Sequence, residues 1–382
     1  MRFDMKLNEI PFAMITDGSK TVELRLNDEK RRKIRIGDQI FFHSLNDEYD
    51  IIRCEVIDLH VYDSFEELYQ HYSKEEMGYQ TDEIADPKDM YEYYSQEEVE
   101  RYGVLGIRIR KLEKPYLMDG HMHLEYGPLT VEYVMDFVKE AFDKGLDEID
   151  ILDHSHRFVE FKDCYEHLRK YEQQDVWLNQ KTKFCNTLED YYRLIEEVRK
   201  KDLPIKVKFG LEVCYTSNTE SLLKQILKDV KLDFITGAIH STDSILYDMS
   251  FSKELLWDKK DAGEIYRRYY EEVLSLINSS LFERLAHPDQ IKLFGIDPGY
   301  DLKETYEKIA DALLEKDMYA ENNTGIKYRY HHDDLGIADE MLRIFKEKKV
   351  KMITASDAHK PSDVGTLIYE ATLRNRRGHY ER

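Results

Sequence analysis

The chain has 382 residues, of which 35% are charged and 42% hydrophobic, and its formal charge is −21. A protein this acidic is not expected to coat long nucleic acid through bulk charge, although the basic run 30–35 leaves room for a local anion site. No apolar run approaches the roughly 18 to 20 residues that span a membrane, so a membrane partner is not expected.

The cysteines and the N-terminal segment indicate the compartment. The four cysteines contain no C-x-x-C pair and suit a reducing environment better than a disulfide framework. The segment MRFDMKLNEIPF lacks the basic-then-apolar form of a signal peptide. We therefore expect a cytoplasmic protein.

Residues 1–112 predict a small β-barrel with a helical insertion. Lys20–Leu26 alternates apolar and polar residues, as a half-buried strand does. Further strands are predicted at 39–43, 51–59 and 104–112. The acidic, tyrosine-rich segment 64–94 is predicted to be mostly helical. Glu113-Lys114-Pro115 is the predicted linker to a second domain over residues 116–382.

The second domain alternates strands and helices. The candidate strands are 117–123, 147–153, 205–213, 233–240, 283–287, 318–323 and 350–356. Thr130 and Thr187 stand where side-chain caps would begin two of the helices. Repeated βα units imply a parallel sheet, and seven of them in about 260 residues imply a closed or nearly closed barrel. Active residues would then sit at the C-terminal ends of the strands.

Imidazoles and carboxylates stand at those strand ends. His121 and His123, two residues apart in one strand, face the same side and can bind one ion together. The last strand ends in a similar pair, Asp357 and His359. The strands between them end in His154, Glu212, His240, His287 and Asn322-Asn323. A single histidine at a strand end is more often a polar residue with its own hydrogen-bond partners than a metal ligand. The whole set of strand-end residues, however, favours a metal site for Zn, Mn or Fe.

The motifs DGHMH, ILDH, GLE, GAIH, AHPD and SDAH, in this order over residues 116–370, resemble those of the PHP domain, and especially its histidinol-phosphatase-like branch. The resemblance implies a distorted seven-stranded βα barrel, similar to a TIM barrel, that holds two or three divalent ions and hydrolyses a phosphomonoester. It implies one ion held by His121, His123, Glu212 and Asp357, a second by Glu212, His240 and His287, and part of a third by His154 and His359.

The third site lacks one residue of the family pattern. Many family members place another histidine a few residues beyond the His-x-His, and the segment 124–129 contains none. Glu125 or His156 could substitute for it.

The resemblance also implies the chemistry, which is attack on phosphorus by a metal-activated hydroxide, with Glu212 and Asp357 in the catalytic set. Lys327 and Arg329 are the first candidates to bind the phosphate, and Arg157 is the next. His156 or Asp289 could donate a proton to the leaving group. His167, His331, His332 and His379 are expected at the surface.

The segments Asp17–Arg25, 28–33, 36–38, 93–98 and 102–107 resemble the ASCH domain, a PUA-like β-barrel considered to bind nucleotides or RNA. The resemblance implies that Lys20, Glu23 and Arg25 line the mouth of a small cleft. Some relatives hydrolyse an acylated nucleoside with a Lys and a Thr, but Glu23 stands in place of that Thr, which favours binding over catalysis. Alternatively, Glu23 and Arg25 form a strand ion pair and the basic run is a solvated turn.

Three functions remain open on the sequence. The first is a histidinol-phosphatase-like phosphomonoesterase that acts on a small phosphorylated substrate. In the second, the same barrel acts on a nucleotide or RNA end that residues 1–112 capture. The third is a non-enzymatic nucleotide- or RNA-binding protein whose barrel has lost one metal ion.

Overall fold

The computed structural model describes residues 1–376. The chain divides into two compact units, Met1–Tyr116 and a second that begins at Leu117. The predicted end of the second domain at residue 382 and the predicted surface position of His379 lie outside the described residues. None of the helices within residues 1–376 is long and apolar enough to cross a membrane.

The first unit is built on one sheet of five strands. They are β1 (Arg2–Leu7), β2 (Val22–Leu26), β3 (Gln39–Ser44), β4 (Ile51–Tyr62) and β5 (Val104–Lys111). The order across the sheet is β1-β3-β4-β5-β2, in which β1 and β3 are parallel and the other neighbours antiparallel. The sheet is curled and mixed, and β1 and β2 are its edges. The first strand and the helix α1 (Glu9–Asp17) add to the elements that the sequence predicts.

The insertion between β4 and β5 is less helical than the sequence predicts. It contains three short α-helices, α2 (Phe65–Leu68), α3 (Lys74–Met77) and α4 (Gln96–Tyr102), and a 3-10 helix, Pro87–Glu92. Serine side chains cap each α-helix. The helices stay short because Gly78 ends α3 in the left-handed conformation, at a φ of 100°, and Pro87 admits only the first turn of a new helix.

The second unit alternates strands and helices as predicted. Its main strands are β6 (Met118–Met122), β7 (Glu148–His154), β8 (Lys206–Cys214), β9 (Phe234–Ala238), β12 (Arg284–Leu285), β13 (Tyr319–Asn323) and β14 (Met352–Ala355), and a small hairpin, β10 (Ser241–Thr242) and β11 (Ile245–Leu246), follows β9. The α-helices are α5 (Val131–Asp143), α6 (Glu172–Leu178), α7 (Leu188–Arg199), α8 (Glu220–Leu227), α9 (Ala262–Ser279), α10 (Lys303–Glu315), α11 (Gly325–Tyr330), α12 (Asp339–Lys348) and α13 (Ile368–Arg376). The hydroxyl of Thr130 caps α5, and Thr187 and Asp190 form a capping box at α7.

The seven main strands form a nearly closed parallel barrel. Their order is β14-β13-β12-β9-β8-β7-β6, and every neighbouring pair is parallel. At the seam between β6 and β14, the backbone N–H of Asp357 donates to the carbonyl of His121 over 2.9 Å. The buried carboxylate of Asp119 accepts hydrogen bonds from the backbone N–H groups of Ser356 and Gly365, each over 2.8 Å. The seam therefore brings the first and last strand ends together.

A buried ion pair links β12 to β7 inside the second unit, and the same arginine contacts β9 and β6. Arg284 Nη1 lies 2.7 Å from Asp150 Oδ2, and both side chains are almost fully buried. The same guanidinium packs 3.6 Å from the centroid of the Phe234 ring and donates to the carbonyl of Gly120. Removing one partner of such a pair leaves the other charge buried without compensation.

We expect Arg284→Met to lower the free energy of unfolding by about 3 kcal/mol, the lower end of the range for breaking a buried pair. The lower end applies because burial raises the pKa of Asp150 to about 7, so the abandoned acid can take up a proton. Urea denaturation followed by circular dichroism would measure the loss. Arg343→Met, which removes an exposed pair with Glu347, is the matched control and should leave the midpoint unchanged.

Candidate metal centre

Glu212 lies at the centre of the C-terminal end of the barrel, near the end of β8, and is 1% exposed. Its Oε1 lies 3.1 Å from His287 Nε2 and 3.5 Å from His240 Nε2. Its Oε2 lies 2.5 Å from His154 Nδ1 and 3.7 Å from His123 Nε2. One carboxylate therefore contacts the imidazoles of four different strand ends.

A second group lies at the seam of the barrel. The Nε2 atoms of His121 and His123 are 2.8 Å apart. Asp357 Oδ1 lies 3.2 Å from His123 Nε2 and 3.8 Å from His121 Nε2. Asp357 and His287 have φ angles of 58° and 25°, in the left-handed region that non-glycine residues rarely adopt. Such backbone strain persists where the surrounding structure enforces it, often at a functional site.

The predicted metal ligands come together in the structure and fit divalent cations. Of the four groups with ligand atoms within 4.8 Å of one another, three consist wholly of predicted ligands: His121, His123 and Asp357; Glu212, His240 and His287; and His123, His154 and His359. Ligands about 2.0–2.2 Å from a tetrahedral zinc lie roughly 3.3–3.6 Å from each other, close to the spacings found here. In addition, Glu212 is buried, and an ionised carboxylate removed from water is costly unless it is paired or binds a cation.

The electrostatics keep His123, His154 and Glu212 in the forms that bind a metal ion. Burial lowers the pKa of His123 and of His154 to about 3, so both rings are neutral and keep a lone pair. Burial alone would raise the pKa of Glu212, but the imidazoles of His154, His240 and His121 hold it well below its ordinary value. Neutral imidazoles and an ionised carboxylate are the forms that bind a metal ion.

Glu321, on β13, is a site residue that the sequence analysis missed. Its Oε1 lies 2.8 Å from His121 Nδ1, and both side chains are fully buried. Burial alone would lower the pKa of His121, but the carboxylates of Glu321 and Glu212 raise it to about 10. The contact fixes the ring so that Nε2 faces the other ligands, as outer carboxylates do for metal-bound histidines. The available signal was the acid in YAENNT, directly before the Asn322-Asn323 pair.

A cavity of about 160 Å³ opens beside the ligands. It is lined by strand-end residues and also by Trp177, Lys183, Asp248 and Tyr330, which the sequence analysis missed. These four residues lie in helices and connections that follow no strand-end pattern, so local sequence gives no signal for them. His156, a predicted site residue, also lines the cavity and is buried.

Of the three cations predicted to bind phosphate, only Arg329 lines this cavity. Its Nη1 lies 2.8 Å from Asp357 Oδ2. Lys327 instead donates to the carbonyl of Asp333 over 2.9 Å, away from the ligands. Arg157 is buried, and its guanidinium contacts Asp153 Oδ2 and the carbonyl of Leu124, each over 2.9 Å. Arg157 therefore compensates a buried acid and is not available to a substrate.

Asp289, a predicted proton donor, also lies outside the cavity lining. Its Oδ2 accepts from the backbone N–H of Ala338 over 2.7 Å and lies 2.7 Å from Lys292 Nζ. The carboxylate thus ties the connection after β12 to the start of α12. Asp289 follows the ligand His287 by two residues, but its side chain points into a neighbouring loop and does not reach the site.

The first unit has a cavity of its own, of about 470 Å³, lined by the predicted Lys20, Glu23 and Arg25 together with four tyrosines, Tyr69, Tyr79, Tyr93 and Tyr94. The ammonium of Lys20 is buried and donates to two backbone carbonyls, and it lies 3.5 Å from Glu23 Oε2. Arg25 Nε lies 2.8 Å from Glu23 Oε1. The strand ion pair and the cleft lining, given above as alternatives, are therefore present together.

The family comparisons agree with this architecture. The model of the PHP domain matches residues 119–325, and the model of the ASCH domain matches residues 5–113. The chain belongs to the PHP family of metal-dependent phosphoesterases and carries an N-terminal ASCH domain.

Individual relatives are distant. The histidinol-phosphatase of Bacillus subtilis is 27% identical over 274 residues, which cover 67% of this chain and 97% of that protein. A protein of Deinococcus radiodurans named as a probable histidinol-phosphatase is 29% identical over 171 residues, covering 44% of this chain and 63% of its own length. The structure of a candidate histidinol phosphatase from Listeria monocytogenes covers 65% of this chain and 97% of its own, with 19% identity and a TM-score of 0.54. That structure supports the fold alone.

We expect Glu212→Gln to reduce the number of divalent ions bound per chain, because a neutral amide replaces the carboxylate that five imidazoles surround. Elemental analysis of protein purified without chelator would count the ions. Circular dichroism should stay close to that of the unmodified protein, since the substitution keeps the side-chain volume. An unchanged ion count in Glu212→Gln would argue against a central role for this carboxylate.

Proposed function

We propose that the barrel hydrolyses a small phosphomonoester and that histidinol phosphate is its first candidate substrate. The observation that carries the proposal is the arrangement around Glu212, in which ligands come together from six strand ends and those of five border a cavity that Arg329 also lines. Support for the substrate comes from the relatives in Bacillus subtilis and Deinococcus radiodurans, both named as histidinol-phosphatases.

The difficulty of this reaction is that attack on a phosphomonoester brings an anion against an anion. The chemistry that divalent ions supply in such a centre is neutralisation of the phosphoryl oxygens and a water whose pKa falls towards neutrality. Glu212 and Asp357 would hold the divalent ions beside the cavity. Arg329 directs its guanidinium to the same place, where it binds a phosphoryl oxygen and stabilises negative charge in the transition state.

The leaving group needs a proton donor, and the cavity offers two groups for that role. His156 was predicted for it and lines the cavity. Asp248, which follows the β10–β11 hairpin, lines the cavity in place of the predicted Asp289. Burial lowers the pKa of His156 to about 4 and raises the pKa of Asp248, so the proposal places the donated proton on Asp248 and not on His156 or Asp289.

The substrate is tested by comparing histidinol phosphate with nucleoside monophosphates, with and without a chelator. We expect the higher kcat/KM for histidinol phosphate, loss of turnover after chelation, and recovery when Mn²⁺ or Zn²⁺ is restored. A preference for the nucleotides would assign the barrel to the second candidate function below. A fully metal-loaded protein that hydrolyses neither class would support a binding protein without enzymatic activity.

Arg329→Met should lower kcat for the preferred substrate roughly 10²- to 10³-fold, as removal of one charge-stabilising donor does in other enzymes. Arg329→Lys keeps the charge and should retain more activity. Because Arg329 also contacts Asp357, the ion count is measured for each variant. A loss of turnover explained wholly by lost metal would contradict a role in phosphate binding.

The tyrosine-lined cavity of the first unit favours a second candidate function, capture of a nucleotide or an RNA end. Aromatic rings can stack on a base, and Arg25 and Lys20 provide positive charge beside Glu23. On this alternative, the barrel would hydrolyse a phosphate of the captured nucleotide. Tyr93 is the best residue for a test, because its side chain lines the cavity and is 63% exposed.

Tyr93→Ala should weaken the binding of a nucleoside monophosphate to the full chain by about 1–3 kcal/mol, the usual loss of one base–aromatic stack. Isothermal titration with each of the four common ribonucleoside monophosphates would measure it. The exposed Tyr369→Ala is a matched control. No measurable binding of any of the four to the unmodified chain would remove the support for this alternative.

A further inference from the structure

A short segment at the end of the β10–β11 hairpin places Asp248 on the wall of the cavity beside the metal centre. Within residues 1–376, no other residue forms an ion pair or a hydrogen bond with the Asp248 carboxylate. The position of this side chain therefore depends on the backbone of residues 246–249, which leave the hairpin ladder after Leu246. Buried backbone groups outside a ladder need other partners.

Gln174, on α6, holds the hairpin from a distant part of the chain. Its side chain is fully buried, and its Oε1 accepts from the backbone N–H of Leu246 over 2.8 Å. Its Nε2 donates to the carbonyl of Ser244 over 3.0 Å and to the carbonyl of Leu168 over 2.6 Å. One side-chain amide therefore ties the hairpin to the chain between β7 and β8.

Ser252 holds the other side of the same segment and is also fully buried. Its hydroxyl donates to the carbonyl of Leu246 over 2.7 Å and accepts from the backbone N–H of Met249 over 2.8 Å. The backbone on both sides of Asp248 is thus bound by side chains. Replacing Gln174 or Ser252 would leave buried backbone groups without these partners, which is costly, so the segment would shift.

We propose that Gln174 and Ser252 position Asp248 to protonate the leaving group. The inference rests on the proposed function, in which Asp248 is the proton donor. In that step the P–O bond to the leaving group breaks and its electron pair stays on the oxygen. The proton of Asp248 passes to this oxygen, and an ionised carboxylate remains. Neither Gln174 nor Ser252 lines the cavity, so both act through Asp248 and not on the substrate.

The test compares two kinds of ester on the full, metal-loaded chain. Histidinol phosphate, or a nucleoside 5′-monophosphate if the chain prefers it, is an alkyl ester whose leaving oxygen needs a proton. The ester p-nitrophenyl phosphate releases a stable phenolate that needs none. The quantity measured is the ratio of kcat for the alkyl ester to kcat for the aryl ester. A residue that acts through the proton donor lowers this ratio, whereas a general structural defect lowers both kcat values together.

Gln174→Met nearly keeps the side-chain volume but removes the hydrogen bonds of the amide to Leu246, Ser244 and Leu168. The ratio should fall roughly 10- to 100-fold, because a small misplacement of a catalytic group removes much of its contribution. Gln173→Met, the neighbouring glutamine of α6, is the matched control and should leave the ratio unchanged.

Asp248→Asn provides the reference for these variants and should lower the ratio at least as far as Gln174→Met. The double variant should show no further fall below Asp248→Asn, because residues that act as a unit are not additive. A further fall in the double variant would overturn the proposal. An unchanged ratio in Asp248→Asn would overturn it as well, because there would be no proton donor to position.

Ser252→Ala provides a second variant if Gln174→Met folds poorly, since it removes only a hydroxyl group. Its ratio should also fall, while circular dichroism and the number of bound ions stay those of the unmodified chain. A ratio that is unchanged in both Ser252→Ala and Gln174→Met would overturn the proposal, whether or not the two kcat values fall together.

The same measurements separate this inference from the function on which it rests. An unmodified chain that hydrolyses both esters, with variants that leave the ratio constant, would refute the positioning role and leave the proposed function intact. An unmodified chain that is folded and metal-loaded but hydrolyses neither kind of ester would refute the proposed function itself.

Discussion

The burial of the Glu212 carboxylate is the constraint on which the second unit depends. An ionised carboxylate removed from water is costly unless it is paired or binds a metal ion. Water cannot stabilise the charge of Glu212, since the residue is 1% exposed. Five imidazoles lie within 3.8 Å of it, and Glu321 in turn holds His121 in orientation. The folded barrel therefore gathers neutral imidazoles and an ionised carboxylate in an arrangement that fits divalent cations.

Closure of the barrel makes that arrangement possible. The ligands at the two ends of the domain come from β6 and β14, which are separated by more than two hundred residues of sequence, and Asp119 ties these strands together by accepting two backbone N–H groups. Because the strands are parallel, all their carboxyl ends lie on one rim. There the backbone N–H of Asp357 donates to the carbonyl of His121, which brings the two residues together. The hydrogen bonds that stabilise the seam therefore also set the geometry of the centre.

The sequence predicted what depends on strand direction and missed what depends on tertiary contacts. The order of strand ends was enough to place His121, Glu212 and Asp357 together, because a parallel barrel allows little else. Arg157 also follows a strand end, but its guanidinium pairs with the buried carboxylate of Asp153, four residues earlier. The local sequence pattern does not reveal this pairing. Lys183 is the converse case. It lies in a connection with no periodic pattern, and only the fold brings it to the cavity.

The three carboxylates of the centre differ in how their second oxygen is used. Asp357 directs Oδ1 towards His123 and gives Oδ2 to Arg329. Glu125 directs Oε2 towards His154 and gives Oε1 to Lys183. In both residues a protein cation occupies one oxygen, so each can offer only the other to a metal ion. Glu212 has imidazole nitrogens beside both oxygens. Of the three carboxylates, Glu212 is therefore the one with imidazole nitrogens and no protein cation beside its two oxygens, which is the arrangement that the proposed function would need of a carboxylate shared by two ions.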